Sequence, residues 1–113
     1  MTAAAKAGYK AQARIIKALA HPTRLFIVDE LSRGERCVCE ITDLVGVEMP
    51  TVSRHLGVLK SAGILEDEKR GLQVFYRLRV PCVLNFFKCV EAVQSNHRKP
   101  AKRITSTKTG CAT

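Results

Sequence analysis

Five cysteines are the side chains in this 113-residue chain with the most chemistry to offer, and their spacing says more than their number. Only Val38 separates Cys37 from Cys39, Cys82 and Cys89 stand two helical turns apart, and Cys111 lies near the carboxyl end. An odd count in a chain without an export signal argues for free thiols or ligation of a soft ion over a disulfide framework. The Cys37/Cys39 pair falls at the amino-terminal edge of an expected helix, where the helix dipole and Arg33 and Arg36 favour thiolates while Glu35 and Glu40 oppose them. Residues two apart on a regular helix diverge by about 200°, so both thiols can face one ion only where that turn is extended or unwound. The competing reading makes the pair, like Cys82 and Cys89, small packing residues. His21, just before Pro22, reads as a capping or packing side chain. No Ser/His/Asp spacing and no Gly-rich phosphate loop suggests catalysis, and a thiol reductase would want Cys-x-x-Cys, so an enzyme is not expected.

The elements that position these groups follow from periodicity. In Met49 to Leu65, Val52, Leu56 and Leu59 recur on one helical face, opposite Pro50, Thr51, Arg54, Gly57 and Ser61, with Ser53 on the flank. That outer side is small and hydrogen-bonding, with one arginine able to reach a base edge or a phosphate. His55, between the two faces, reads as a packing or phosphate-contacting residue. Upstream, Glu40 to Val45 is a short apolar-periodic helix and Gly46-Val47-Glu48 a tight turn, which gives helix, turn, helix. Leu65 to Leu78, broken at Lys69-Arg70-Gly71, alternates as a β-hairpin with a basic tip. The fold class predicted is mainly α with a small β-hairpin wing, a winged helix-turn-helix. Residues 4 to 19 form an amphipathic first helix, with Tyr9, Ala13, Ile16 and Leu19 on one side and Lys6, Lys10, Arg14 and Lys17 interleaved; a second helix opens at Pro22. Pro81 opens a last helix whose stripe of Val83, Phe86, Phe87, Val90 and Val93 suggests a dimer seam packed with the first helix. The expected domain is 1–95, and 96–113 a flexible basic tail.

Nineteen Lys and Arg against ten Asp and Glu give a net charge of +9, which favours a polyanionic partner and salt-sensitive association. No window approaches the ~20 apolar residues of a membrane span, so a cytoplasmic protein with no membrane partner is expected.

The run CVCEITDLVGVEMPTVSRHLGVLKSAGILEDEKRGLQVFYRL, with ALAHPTRLFIVDEL ahead of it, resembles the arsenical- and metal-responsive repressors of the ArsR/SmtB family over most of positions 18 to 78. The resemblance implies a homodimer that binds operator double-stranded DNA with an imperfect inverted repeat, using Pro50, Thr51, Ser53, Arg54 and His55 of the recognition helix and Lys69 and Arg70 of the wing. It implies release of the operator when As(III) or Sb(III) occupies three thiolates; soft sulfur ligation by itself equally admits Cd(II), Pb(II) or Zn(II). Cys37 and Cys39 supply two thiolates. Thr42 stands where the arsenic-responsive branch usually has a third cysteine, which leaves Cys111, through the tail, as the favoured third ligand ahead of Cys82 or Cys89. Glu48 stands where the family commonly has a Ser cap. The family's other metal site, of Asp and His on the last helix, has no match in 80–94. Two rival readings are a repressor that senses sulfide or oxidants through a cysteine pair, and a cytoplasmic thiol metal carrier.

Overall fold

Val52, Leu56 and Leu59 are completely buried, and the first unit of the fold is built around them. A computed structural model describes residues 1–98, in the order α1 (Ala3–Leu19), α2 (Pro22–Leu31), β1 (Arg36–Cys37), α3 (Val38–Val45), α4 (Met49–Ser61), β2 (Leu65–Arg70), β3 (Gln73–Leu78) and α5 (Val83–Arg98). The chain divides into two units, Met1–Val80 and a second that starts at Pro81. No helix among the described residues is long and apolar enough to cross a membrane.

In Met1–Val80, Ile27, Val28 and Leu31 of α2, Ile41 of α3, the α4 triad and Ile64 and Leu65 make one core. Each large aliphatic removed from water there contributes about 1.5–3 kcal/mol. The ends of the helices follow from local chemistry. Thr2 caps α1 by accepting from the Ala5 N–H at 3.1 Å, and the His21 ring caps α2 by accepting from the Thr23 N–H at 3.1 Å, with Pro22 at the first helical position. Gly46 ends α3 at φ +81°, a left-handed conformation that turns the chain directly into α4. The cap position of α4, Glu48, makes no side-chain hydrogen bond to the helix.

The sheet is larger than a hairpin. β3 is its centre, antiparallel to β2 on one side and to the two-residue β1 on the other, with Arg36 opposite Tyr76 and Cys37 opposite Phe75. The wing turns at Gly71 and Leu72, not at Lys69-Arg70-Gly71 as expected: Lys69 and Arg70 pair with Val74 and Gln73 as the last rungs of the ladder. Gly71 at φ +63° makes so short a turn feasible.

Within the single chain α1 buries only its carboxyl end. Ala18 and Leu19 are buried, whereas Tyr9 is 61% and Ile16 50% exposed. The second unit carries α5, which starts at Val83, two residues after Pro81, and continues through Arg98, past the expected start of the tail at 96. Phe86, Val90 and Val93 are exposed on it. Cys111 and most of the expected tail lie outside the described residues.

Candidate nucleic-acid interface and thiol pair

Burial of Val52, Leu56 and Leu59 fixes which side of α4 is left to solvent. Pro50, Ser53, Arg54, Gly57 and Ser61 are exposed and Thr51 is half-buried, so the expected contact face points outward. A Cβ built on Gly57 meets no atom within 4 Å, so the protein's own packing does not require a glycine there. Arg54 has no carboxylate within ion-pair distance among the described residues.

His55 does not belong to that face. It is 8% exposed, its ring lies 4.4 Å from that of His21, and its Nδ1 accepts a hydrogen bond from Arg24 Nε at 3.1 Å. The same guanidinium donates through Nη1 to the Ala18 carbonyl at 3.1 Å, tying α1, α2 and α4 together. Burial foremost, then the charges of His21, Arg24 and Arg54, hold the imidazole below its ordinary 6.5. Of the two readings of His55, packing and phosphate contact, its burial and its bond from Arg24 favour packing.

The two basic wing residues also part company. Arg70 is engaged by acids: its guanidinium donates to both oxygens of Glu35, at 2.5 and 3.1 Å, and to Glu68 at 2.9 Å, and it stacks over Phe75 with 4.6 Å to the ring centroid. Arg77 continues the network to Glu66 at 2.8 Å and Glu68 at 3.2 Å. The hydrogen bond from Arg70 is the main reason the Glu35 and Glu68 carboxyls lie below their ordinary 4.5, and the Arg70 guanidinium is raised in return. Lys69 is exposed and has no such partner among the described residues.

The thiol pair straddles a strand–helix junction. Cys37 is the last residue of β1, buried, with extended backbone at φ −79° and ψ 160°; Cys39 is exposed in the first turn of α3. The condition for both thiols to reach one ion, that the stretch leave regular helix, is thus met at Cys37 without unwinding α3. Glu40 accepts from the Cys37 N–H at 3.0 Å. Thr42 turns its hydroxyl back onto the Val38 carbonyl at 2.8 Å. Two sulfurs suit a thiophilic ion, but no cluster of three His, Cys, Asp or Glu side chains fit to hold a metal forms among the described residues. Cys82 and Cys89 are both exposed in the single chain.

The bond of Arg24 to His55, the pairing of Glu35 with Arg70 and the stacking of Arg70 on Phe75 were not legible in the sequence. The partners of Arg24 and Glu35 lie 31 and 35 residues away, and no local pattern announces such pairs.

Residues 21–67 match the family "Bacterial regulatory protein, arsR family". The chain is 44% identical over 68 residues to the HTH-type transcriptional repressor SmtB of Mycobacterium tuberculosis, covering 60% of this chain and 50% of that protein. It is 45% identical over 65 residues to the arsenic resistance transcriptional regulator ArsR1 of Pseudomonas putida, covering 57% and 51%. It therefore spans about half the length of each of these relatives. Among solved structures, the homodimeric winged helix-turn-helix DNA-binding domain from Mycobacterium bovis superposes with a TM-score of 0.76 at 33% identity, covering 92% of this chain and 96% of that one.

Proposed function

Because the chain belongs to the ArsR family of bacterial regulatory proteins, we propose that it is a transcriptional repressor that binds operator DNA as a homodimer and leaves it when a thiophilic ion, As(III) or Sb(III), binds Cys37 and Cys39. The outer face of α4 carries this reading: small, exposed, hydrogen-bonding side chains around Arg54, which has no ion-pair partner among the described residues, opposite a fully buried triad. A side chain that reads base edges must approach within hydrogen-bond distance, and nothing on that face is bulky enough to prevent it. The base-reading set is Pro50, Thr51, Ser53 and Arg54; Lys69 of the wing is the free phosphate contact. Fluorescence anisotropy with an upstream inverted-repeat duplex tests the reading. Arg54→Ala weakens operator binding by about 1–3 kcal/mol if the arginine makes a bidentate base contact. Unchanged affinity, with the fold intact by circular dichroism, removes α4 from the role of recognition helix.

The likeness to an arsenic resistance regulator supports the metalloid, and the sulfur pair suits it. The third sulfur in this reading is Cys111, brought by the tail. Exposure of Cys39, Cys82 and Cys89 favours a second reading, in which the repressor is released by sulfide or oxidant through a cysteine pair. Intact-mass measurement at the point of operator release separates the two: an intrachain disulfide or polysulfide, with no response to arsenite, selects the second.

A further inference from the structure

An open groove of about 710 Å³ lies between α1, α2 and α4, bordering the outer face of α4. Arg14, Lys17, Arg24 and Arg54 line it together with the small residues Gly57 and Ala62, and no acidic residue does. None of the four cations has an ion-pair partner among the described residues, whereas Asp29, Glu30, Glu35, Glu66, Asp67 and Glu68 are all engaged elsewhere. Arg24 is fixed in place by His55 and the Ala18 carbonyl. The run of cations also extends beyond the groove. At about 100° per residue Lys6, Lys10, Arg14 and Lys17 fall within an arc of about 80° on α1, a stripe of roughly 16 Å, or about five phosphates of axial rise along one DNA strand. The stripe lies about a quarter turn from Tyr9, Ala13 and Ile16, so a partner chain covering those apolar residues leaves the cations open.

We propose that this groove, with the α1 stripe that leads into it, is a second phosphate-binding surface that holds the DNA sugar-phosphate backbone flanking the bases read by α4. The inference rests on the DNA-binding reading above and adds α1 to the DNA-contacting elements. Four cations with no acid among them attract a polyanion, small lining residues let a backbone come close, and an open trough suits a strand that passes through.

The test uses the full chain and the same operator duplex over a range of salt. Arg14→Gln/Lys17→Gln lowers the magnitude of the slope of log affinity against log salt by about 0.9 for each phosphate no longer neutralised, or about 2–4 for the dimer. The ratio of operator to random-duplex affinity stays near that of the unaltered protein, because phosphate contacts position the protein without reading sequence. Arg14→Lys/Lys17→Arg retains the slope. An unaltered slope in the Gln variant, with folding and dimer intact, overturns the proposal, as does a slope reduced equally in the charge-preserving variant. It is overturned too if inorganic triphosphate at matched ionic strength raises the melting temperature of the unaltered protein but not of the Gln variant while the DNA slope is the same in both; the groove then belongs to a small anion. Absence of any salt-dependent DNA binding by the unaltered protein is a different failure, that of the DNA-binding reading itself, and the groove proposal falls with it.

Discussion

Arg24 bonds to α1 and α4 from its place on α2, and its bond to His55 forms only while that ring is neutral. Nδ1 of His55 accepts the Arg24 Nε–H, so the ring must leave that nitrogen unprotonated. A protonated ring loses the acceptor and places a second cation beside the guanidinium. The folded-state value of His55 lies below 6.5, so below that pH the unfolded chain binds a proton that the folded chain refuses. The stabilisation is complete above 6.5 and is lost as pH falls from there towards the folded-state value. Urea midpoints should therefore drop between about pH 7.5 and pH 5.5, and the drop should shrink in His55→Leu. Equal midpoints at the two pH values sink the neutral-acceptor role. Gly57 makes a complementary point. A mid-helix glycine costs about 1 kcal/mol relative to alanine, and no atom within 4 Å of a Cβ built at Gly57 requires it, so Gly57→Ala should stabilise the fold by about that amount in thermal unfolding.

Among the elements, β1 is the one with consequences out of proportion to its length. It has two residues, pairs with the centre of the sheet, and ends on Cys37. Glu35, immediately before it, is gripped by Arg70 of the wing, so the thiol segment and the wing form one mechanical piece. The carboxyls of Glu35 and Glu68 lie below 4.5, which means the grip is complete above that value and is lost as pH falls through their lowered values. Glu35→Gln should loosen the grip at neutral pH and release the Arg70 charge, giving tighter random-duplex binding with a steeper salt dependence. A salt slope equal to that of the unaltered protein shows Arg70 to be held by Glu68 and Phe75 alone. This element also marks the limit of what the sequence discloses. The helix-turn-helix was legible because Val52, Leu56 and Leu59 repeat over two turns and Gly46 punctuates them, and the wing because its strands alternate. A two-residue strand has no period to read. The state of Arg70 depends on an acid 35 residues away, and that of His55 on an arginine 31 residues away, so the tertiary partners of these two side chains could not be read from local pattern, whereas Lys69 stands exposed as its position in the hairpin suggests.

At the scale of the whole molecule, α1 and α5 each leave apolar side chains in water, Tyr9 and Ile16 on one and Phe86, Val90 and Val93 on the other. A second copy of the chain is the partner we propose for them, and a two-fold dimer presents two α4 helices to successive major grooves of an inverted repeat. Induction then requires that ion binding change the relation of those helices. Cys37 and Cys39 sit where β1 becomes α3; β1 pairs with the wing strand, and α3 leads through the Gly46 turn into α4. In the proposed mechanism, an ion drawing the exposed and the buried sulfur together would strain that junction and so act on both the wing and α4. Such coupling is reciprocal, so DNA must weaken the ion by the same factor by which the ion weakens DNA, typically about 5- to 150-fold. Arsenite affinity measured with and without saturating operator, at fixed salt, should differ by a factor in that range. Cys37→Ser and Cys39→Ser should each keep operator binding and abolish the difference, leaving the operator permanently occupied. Equal arsenite affinities in the unaltered protein mean that the β1–α3 junction transmits nothing, and the sensing role of Cys37 and Cys39 is then abandoned.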